Sequence, residues 1–356
     1  MDASALGVKR RRPPMTRREV LGGLLAATVA GGSTAAQEQE AKEFFRGRLM
    51  RIIVGFPPGG GFDLYARLVA EYLPKHMPVE IRCVVENMPG ASTGRAAAHI
   101  YGPSPQDGTV IGICHQGLLA NQVLGIPNAG DFDILKFNWI GRMGTQLNVG
   151  LVWHTAGAKS IDDCRKKPII FGATAPTATS AMIPKALNAA LGTKFEIVPG
   201  YAGSNDMNLA MERGEIHGFA TGVWIDLQNT HANWLANNTI YPLFQVGTRR
   251  NPALPHVPTL GELTDDRDNK VILSLLGSTE DMGRAFMAGP KVPTGRVAVL
   301  RDAFTSMMKD PELLASANAK FLEIDPMSGA ALQEFVSGIG TFPGELRDKA
   351  RKVLMG

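Results

Sequence analysis

Six residues beginning at Phe56, Phe-Pro-Pro-Gly-Gly-Gly, followed by Phe62 and Asp63, point most directly to chemistry. They follow the apolar run Arg51–Gly55, which reads as a buried strand. They precede Leu64–Leu73, whose apolar residues recur at helical spacing. The arrangement is strand, glycine loop, helix start. Consecutive glycines let a ligand approach the main chain closely. The helix start adds unpaired N–H groups and the positive end of its dipole. Such a loop can hold a small anion without any Lys or Arg; a tight strand-to-helix turn with no ligand is the competing reading. Nucleotide loops fit poorly. A P-loop needs Lys and Ser/Thr after its glycines, but Gly60 is followed by Gly61 and Phe62. A dinucleotide fingerprint needs a third glycine where Leu64 stands. The expected ligand is therefore a carboxylate, held around Pro58, Gly59, Gly60, Gly61 and Phe62. Asp63 either receives a ligand amine or caps and neutralises its own helix. Arg67, one turn further on, is expected to pair with a structural carboxylate.

A second loop of the same type follows later. Pro168–Phe171 reads as a strand and about Ala181–Leu191 as a helix, with Gly172-Ala-Thr-Ala-Pro-Thr-Ala-Thr-Ser180 between them. Thr174, Thr177, Thr179 and Ser180 offer hydroxyl and main-chain hydrogen bonds to a ligand's second polar end. His115 ends a strand at the expected cleft edge, as a ligand donor or an ordinary loop histidine. Tyr201, Thr221 and Trp224 follow other strands; the two aromatics line a pocket or pack a core. Cys114–His115 has the residue types of a nucleophile and base, but neighbouring strand residues point to opposite faces. The seven histidines are scattered, and no Cys/His spacing suits a metal. No catalytic residue, metal or cofactor is expected.

Strand and helix patterns alternate along most of the chain, which argues for an α/β fold. In such sheets ligands bind at the carboxyl ends of strands. Two such loops on two lobes would face each other across a cleft. Residues 263–270 read as a charged surface loop, Glu280–Met287 is ambiguous between helix and strand, and Pro293–Lys309 and Gly329–Val336 read as amphipathic helices.

Residues 1–36 read as an export signal. A basic stretch from Lys9 to Arg18 precedes the Gly/Ala-rich, mildly apolar Val20–Gly32, and Thr34-Ala35-Ala36 offers small residues for cleavage. Thr16-Arg17-Arg18 matches the twin-arginine pattern. The apolar run is too short to span a bilayer. Six of the 37 basic and two of the 33 acidic residues fall in this leader, leaving 31 of each. A neutral mature chain gives no electrostatic case for nucleic-acid binding. The remaining length suits two lobes. Cys83, Cys114 and Cys164 allow at most one disulfide, and buried free thiols are the expectation.

These motifs together resemble the Bug, or TctC-like, family of periplasmic solute-binding proteins, receptors of tripartite tricarboxylate transporters. Ile52–Asp63 with Ala66-Arg67 is similar to that family's first-strand signature. Glu86-Asn-Met-Pro-Gly-Ala91 resembles its Asn-x-Pro-Gly-Ala turn, and Pro105-Gln-Asp-Gly-Thr109 its Pro-Asp-Gly-Tyr-Thr turn with Gln106 inserted and no Tyr. Val198-Pro-Gly-Tyr-Ala-Gly203 resembles its Val-Pro-Tyr-x-Gly loop with Gly200 inserted. Pro255–Glu262 and Asp310-Pro-Glu312 also match. The resemblance implies a type II periplasmic-binding fold, two α/β lobes joined by two crossing strands near 141–144 and 246–249. Lobe 1 would comprise 37–143 and 247–356, and lobe 2 residues 144–246. It implies a periplasmic monomer that captures a small organic acid through main-chain N–H groups and delivers it to transporter membrane subunits. A sensor that presents the acid to a membrane kinase would use the same pocket; a secreted enzyme acting on a carboxylate is the third possibility. The chain departs from the pattern in the second loop, where family members read Gly-Ser-x-Gly-x-Gly-Ser and only Gly172 remains.

Overall fold

The computed structural model describes residues 36–126, 130–145, 147–340 and 343–355. The expected export signal, apart from Ala36, lies outside the described residues. The chain forms two sheets. The strands of the first are β1 (Leu49–Val54), β2 (Arg82–Asn87), β3 (Val110–Ile113), β4 (Asn138–Arg142), β10 (Ala285–Ala288) and β11 (Met327–Ser328). Their order is β11-β4-β10-β3-β1-β2. The second holds β5 (Asn148–Trp153), β6 (Ile169–Ala173), β7 (Phe195–Pro199), β8 (Gly218–Val223) and β9 (Ile240–Val246), in the order β7-β6-β8-β5-β9. Helices cover both sheets, so each lobe is α/β.

β1 lies between β2 and β3, parallel to both. Met50, Ile52, Ile53 and Val54 are fully buried, as a near-continuous apolar run in a central parallel strand should be. The following helix, Gly61–His76, turns Tyr65, Ala66, Leu68, Val69, Tyr72 and Leu73 onto the sheet. Burying each of its larger side chains is worth about 1.5–3 kcal/mol, which fixes the helix and with it the glycine loop at its start. β6 and the helix Thr179–Leu191 repeat the scheme in the second sheet, with Phe171, Ala173, Ile183 and Leu187 fully buried.

β10 enters the first sheet antiparallel to both neighbours, between β3 and β4. The stretch that was ambiguous in sequence thus divides into a 3-10 turn, Thr279–Met282, and this strand. The charged stretch 263–270 is not all loop: a helix begins at Arg267, capped by Asp266, which accepts from the Asn269 N–H at 2.9 Å. Its apolar residues Ile272, Leu273 and Leu276 follow beyond the charged window and drive it. That helix, Arg267–Ser278, and the helix Gly344–Met355 both lie against Thr179–Leu191.

The chain passes between sheets twice, after β4 and after β9, and residues 277–284 run alongside both passages. The Arg284 N–H donates to the Gly144 carbonyl (2.8 Å), and the Met143 N–H to the Arg284 carbonyl (3.1 Å). Thr248 Oγ1 donates to Asp281 Oδ2 (3.0 Å), and a Cβ on Gly277 would stand 2.9 Å from the Gly247 carbonyl oxygen. This packing sets Glu280 and Arg284 at the junction of the two sheets.

Candidate functional site

The first loop leaves backbone donors open and spends its acidic side chain internally. Gly59 has φ of +87°, a conformation that glycine adopts without strain. Gly60 caps the helix without any side-chain acceptor, so first-turn N–H groups at Gly61 and Phe62 have no intrahelical partner. Asp63 is 1% exposed. It accepts from the Gly59 N–H (2.8 Å), Arg67 (2.7 and 3.1 Å) and Asn87 Nδ2 (2.9 Å). Burial would raise its pKa, but Arg67, the Gly59 N–H and Asn87 together hold it below the usual carboxylate range. Of the two sequence readings of Asp63, the structure favours the helix-neutralising one. It also commits the Gly59 N–H to protein. Pro58, Gly60 and Gly61 are exposed at the loop tip.

His115 stands beside this loop. Its ring lies 6.1 Å from the rings of Phe56 and Phe62, which stack on each other at 4.5 Å. Its backbone N–H donates to Thr93 Oγ1 (2.9 Å), and its Nδ1 accepts from the Gly117 N–H (2.9 Å). An accepting Nδ1 places the proton of the neutral ring on Nε2. Burial, reinforced by the Arg284 charge, lowers the His115 pKa to about 4, so the ring is neutral near pH 7. Cys114 is buried with its thiol pushed up to about 12. It is therefore no activated nucleophile. All three cysteines are free thiols.

Gly117 packs between His115 and the second loop. A Cβ there would lie 2.6 Å from Thr179 Oγ1 and 2.7 Å from His115 Nδ1. Only a glycine lets the second lobe's helix start come this close to the first lobe's histidine. Thr179 is 1% exposed and its hydroxyl has no hydrogen-bond partner among the described residues. Ser180, by contrast, closes its own loop: its Oγ accepts from the Thr174 N–H (3.1 Å) and lies 3.3 Å from Thr174 Oγ1. Thr177 and Thr221 are partly buried. Tyr201 packs with the apolar cluster behind β6 and β8. Trp224 belongs to the same cluster, and its buried Nε1 has no partner among the described residues.

Two residues outside the sequence-derived set complete this region. Arg284 is 4% exposed, its guanidinium lies 4.0 Å over the Phe62 ring, and a Cβ on Gly61 would touch it at 3.9 Å. Glu280 is 3% exposed. Its Oε2 accepts from Gln116 Nε2 (2.6 Å) and Asn148 Nδ2 (2.7 Å), one from each lobe. Burial, only partly offset by Arg284 and these two amides, raises its pKa to about 7. Neither residue carries a sequence motif; a polar pair at i and i+4 ahead of the short apolar run 285–288 was the one available signal.

A surface groove of about 310 Å³ lies elsewhere, between the helix Thr294–Met307 and residues 328–330. It includes neither glycine loop, and its Arg301 donates to the Trp139 carbonyl and Gln333 Oε1. Among the described residues no group of three His, Cys, Asp or Glu is placed to hold a metal. No helix among them is long and apolar enough to cross a membrane.

No protein-family profile matches the chain. A curated relative from Agrobacterium vitis, the UPF0065 protein in the TAR-I ttuE-ttuC' intergenic region, is 27% identical over 230 residues. That match spans 63% of either chain, just under two thirds of the relative's length. Among solved structures, a TctC solute-binding protein from Polaromonas, solved without ligand, aligns with TM-score 0.60 and 19% identity. It covers 85% of this chain and 98% of that one. A protein from R. palustris with adipate aligns with TM-score 0.63 and 21% identity, over 86% and 97% of the two chains.

Proposed function

The fold is that of the TctC/Bug-type periplasmic solute-binding proteins, and we propose that the chain works as one: an extracytoplasmic receptor that takes a small organic acid between its lobes. One observation carries the reading. His115 and Gly117, at the end of β3, stand between two strand-loop-helix elements from different sheets, with the Phe56 and Phe62 rings and open helix-start N–H groups on one side and the unpartnered Thr179 hydroxyl on the other. Helix N-termini favour anions, and the adipate-bound structure of the same fold supports a carboxylate as ligand.

In this reading a ligand carboxylate accepts from the N–H groups of Gly60, Gly61 and Phe62. The neutral His115 presents Nε2–H to the cleft, and Thr179 meets the ligand's second polar end. Closure of the lobes follows as a population shift toward the liganded arrangement. Delivery to the membrane subunits of a tripartite tricarboxylate-type transporter, after export to the periplasm, is the accompanying role supported by the motif resemblance.

The test is a thermal-shift screen of the purified protein against mono-, di- and tricarboxylates, aromatic acids and acidic amino acids. A ligand at about 100-fold its dissociation constant adds about 2.7 kcal/mol of stability. A hit recovered chemically intact is the expected result. A hit that is converted would instead make the protein an enzyme, and silence across the panel would remove carboxylates as the ligand class.

A further inference from the structure

The guanidinium of Arg284 is the observation that the main-chain account of binding leaves unused. It comes from the residue just before β10, far in sequence from both glycine loops. Taking a guanidinium out of water is costly unless it is paired. Among the described residues it has no ion pair and no side-chain hydrogen bond, and its Nε is buried without an acceptor. The Tyr65 hydroxyl, Glu280 and Asp226 act on it electrostatically, and its own charge acts on His115. The Glu280 carboxylate spends Oε2 on two amides, and the Tyr65 O–H donates to the Glu323 carbonyl (2.8 Å). What lies against the guanidinium is the ring face of Phe62, 4.0 Å away, a residue of the first loop's opening helical turn. A contact with a ring face takes up none of the guanidinium's N–H donors in conventional hydrogen bonds, so they stay available.

We propose that Arg284 is a ligand-binding residue: its guanidinium joins the Gly61–Phe62 helix start in clamping one carboxylate of the bound acid, so that the site selects an ionised head group. The inference rests on the carboxylate reading above and sharpens it. Main-chain N–H groups alone accept any oxygen-rich end, such as an ester or amide carbonyl. A buried guanidinium adds the requirement for a full negative charge, and its fork matches a carboxylate in two parallel bonds. Glu280 opposes that ligand electrostatically, because a second negative charge in the same junction competes for Arg284.

The experiment measures binding of succinate, malate and adipate, and of their monomethyl and dimethyl esters, to the purified protein and three variants by calorimetry. Arg284→Met fills the space without charge. It is expected to weaken the best diacid about 100-fold and to erase the preference for acid over diester, with the melting temperature of the ligand-free protein maintained or raised. Arg284→Lys keeps charge without the fork and should fall between. Glu280→Gln removes the competing charge and should leave diacid affinity equal or tighter. A diacid that binds wild type and Arg284→Met within threefold overturns this inference while leaving the carboxylate receptor intact. Equal loss of diacid and diester binding in Arg284→Met also overturns it, since that is the mark of a purely structural stack. No response of the wild-type protein to any of these acids, or to the wider panel, overturns both readings together.

Discussion

The two strand-loop-helix elements share a plan and divide the work. The first, around Gly59–Asp63, keeps its tip exposed and free of side chains, and buries its one acid in a closed set of four hydrogen bonds. The second, around Thr174–Ser180, is built of methyl-bearing residues and ties itself shut through Ser180 and Thr174. Thr179 Oγ1 is buried in that loop without a hydrogen-bond partner among the described residues. In the proposed site, a loop of open N–H groups would take an oxygen-rich end, whereas a closed loop lined by threonine and alanine would set shape and one hydrogen bond. The difference teaches that the same local fold can be the generic half or the selective half of a cleft, depending on whether its polar groups are spent internally.

Breaking the internal set of the first loop should have the largest effect. Asp63→Ala leaves the Gly59 N–H and Asn87 without their acceptor and frees Arg67. A loss of about 3 kcal/mol is expected, read as a lower denaturant midpoint, with weaker ligand binding as the loop relaxes. The folded-state pKa of Asp63 is depressed. Its stabilisation is therefore present above the unfolded carboxylate value and is lost as pH falls through the folded one. Asp63→Ala should consequently flatten the acid limb of the stability profile; an unchanged acid limb would mean that the network is not what holds the loop.

The junction between the loops should titrate in two opposite directions. Glu280 has its pKa raised to about 7, so its contribution is fully present below the unfolded carboxylate value and is lost as pH rises from there to about 7. Glu280→Gln should gain stability over wild type at pH 8, by up to about 3 kcal/mol, and lose that advantage at pH 4. His115 runs the other way. With its folded pKa near 4, its neutral form is free of cost above the unfolded histidine value, and stability drains as pH falls from there toward 4. His115→Gln should remove that loss. Melting temperatures across pH 4–8 for both variants check the signs.

Smaller effects separate the two loops directly. Thr179→Val removes a buried hydroxyl with no protein partner, so the ligand-free protein should be as stable as wild type or more so. Affinity for the acid should still drop about tenfold. Equal affinity would take the second loop out of the site. Ser180→Ala should do the converse, costing about 1 kcal/mol of stability through the lost Thr174 bond with a lesser change in affinity.

Much of this was legible in the sequence for a physical reason. The glycine loop, the pairing of Arg67 with a structural carboxylate and the α/β alternation are written in short-range spacing, where apolar periodicity and turn chemistry act; that the carboxylate is Asp63 came from the structure. Thr179 was legible as one of several hydroxyls, but its distinction from Ser180 was not, because which hydroxyl is consumed depends on how the loop folds back on residue 174. The start of the helix at Arg267 was hidden by charges that face solvent, since a capped first turn needs no apolar residue.

The sequence by itself thus determined the local elements, which depend on residues within a few turns of one another, and the neutral charge of residues 37–356, which depends on composition alone. The tertiary structure alone decided that β10 enters the first sheet antiparallel between β3 and β4. That placement brings Arg284 over Phe62 and Glu280 between Gln116 and Asn148. Strand order is set by which apolar faces can be buried together across the whole chain, and no local pattern records it. The buried charge at the junction of the two sheets is therefore supplied by residues far in sequence from both glycine loops.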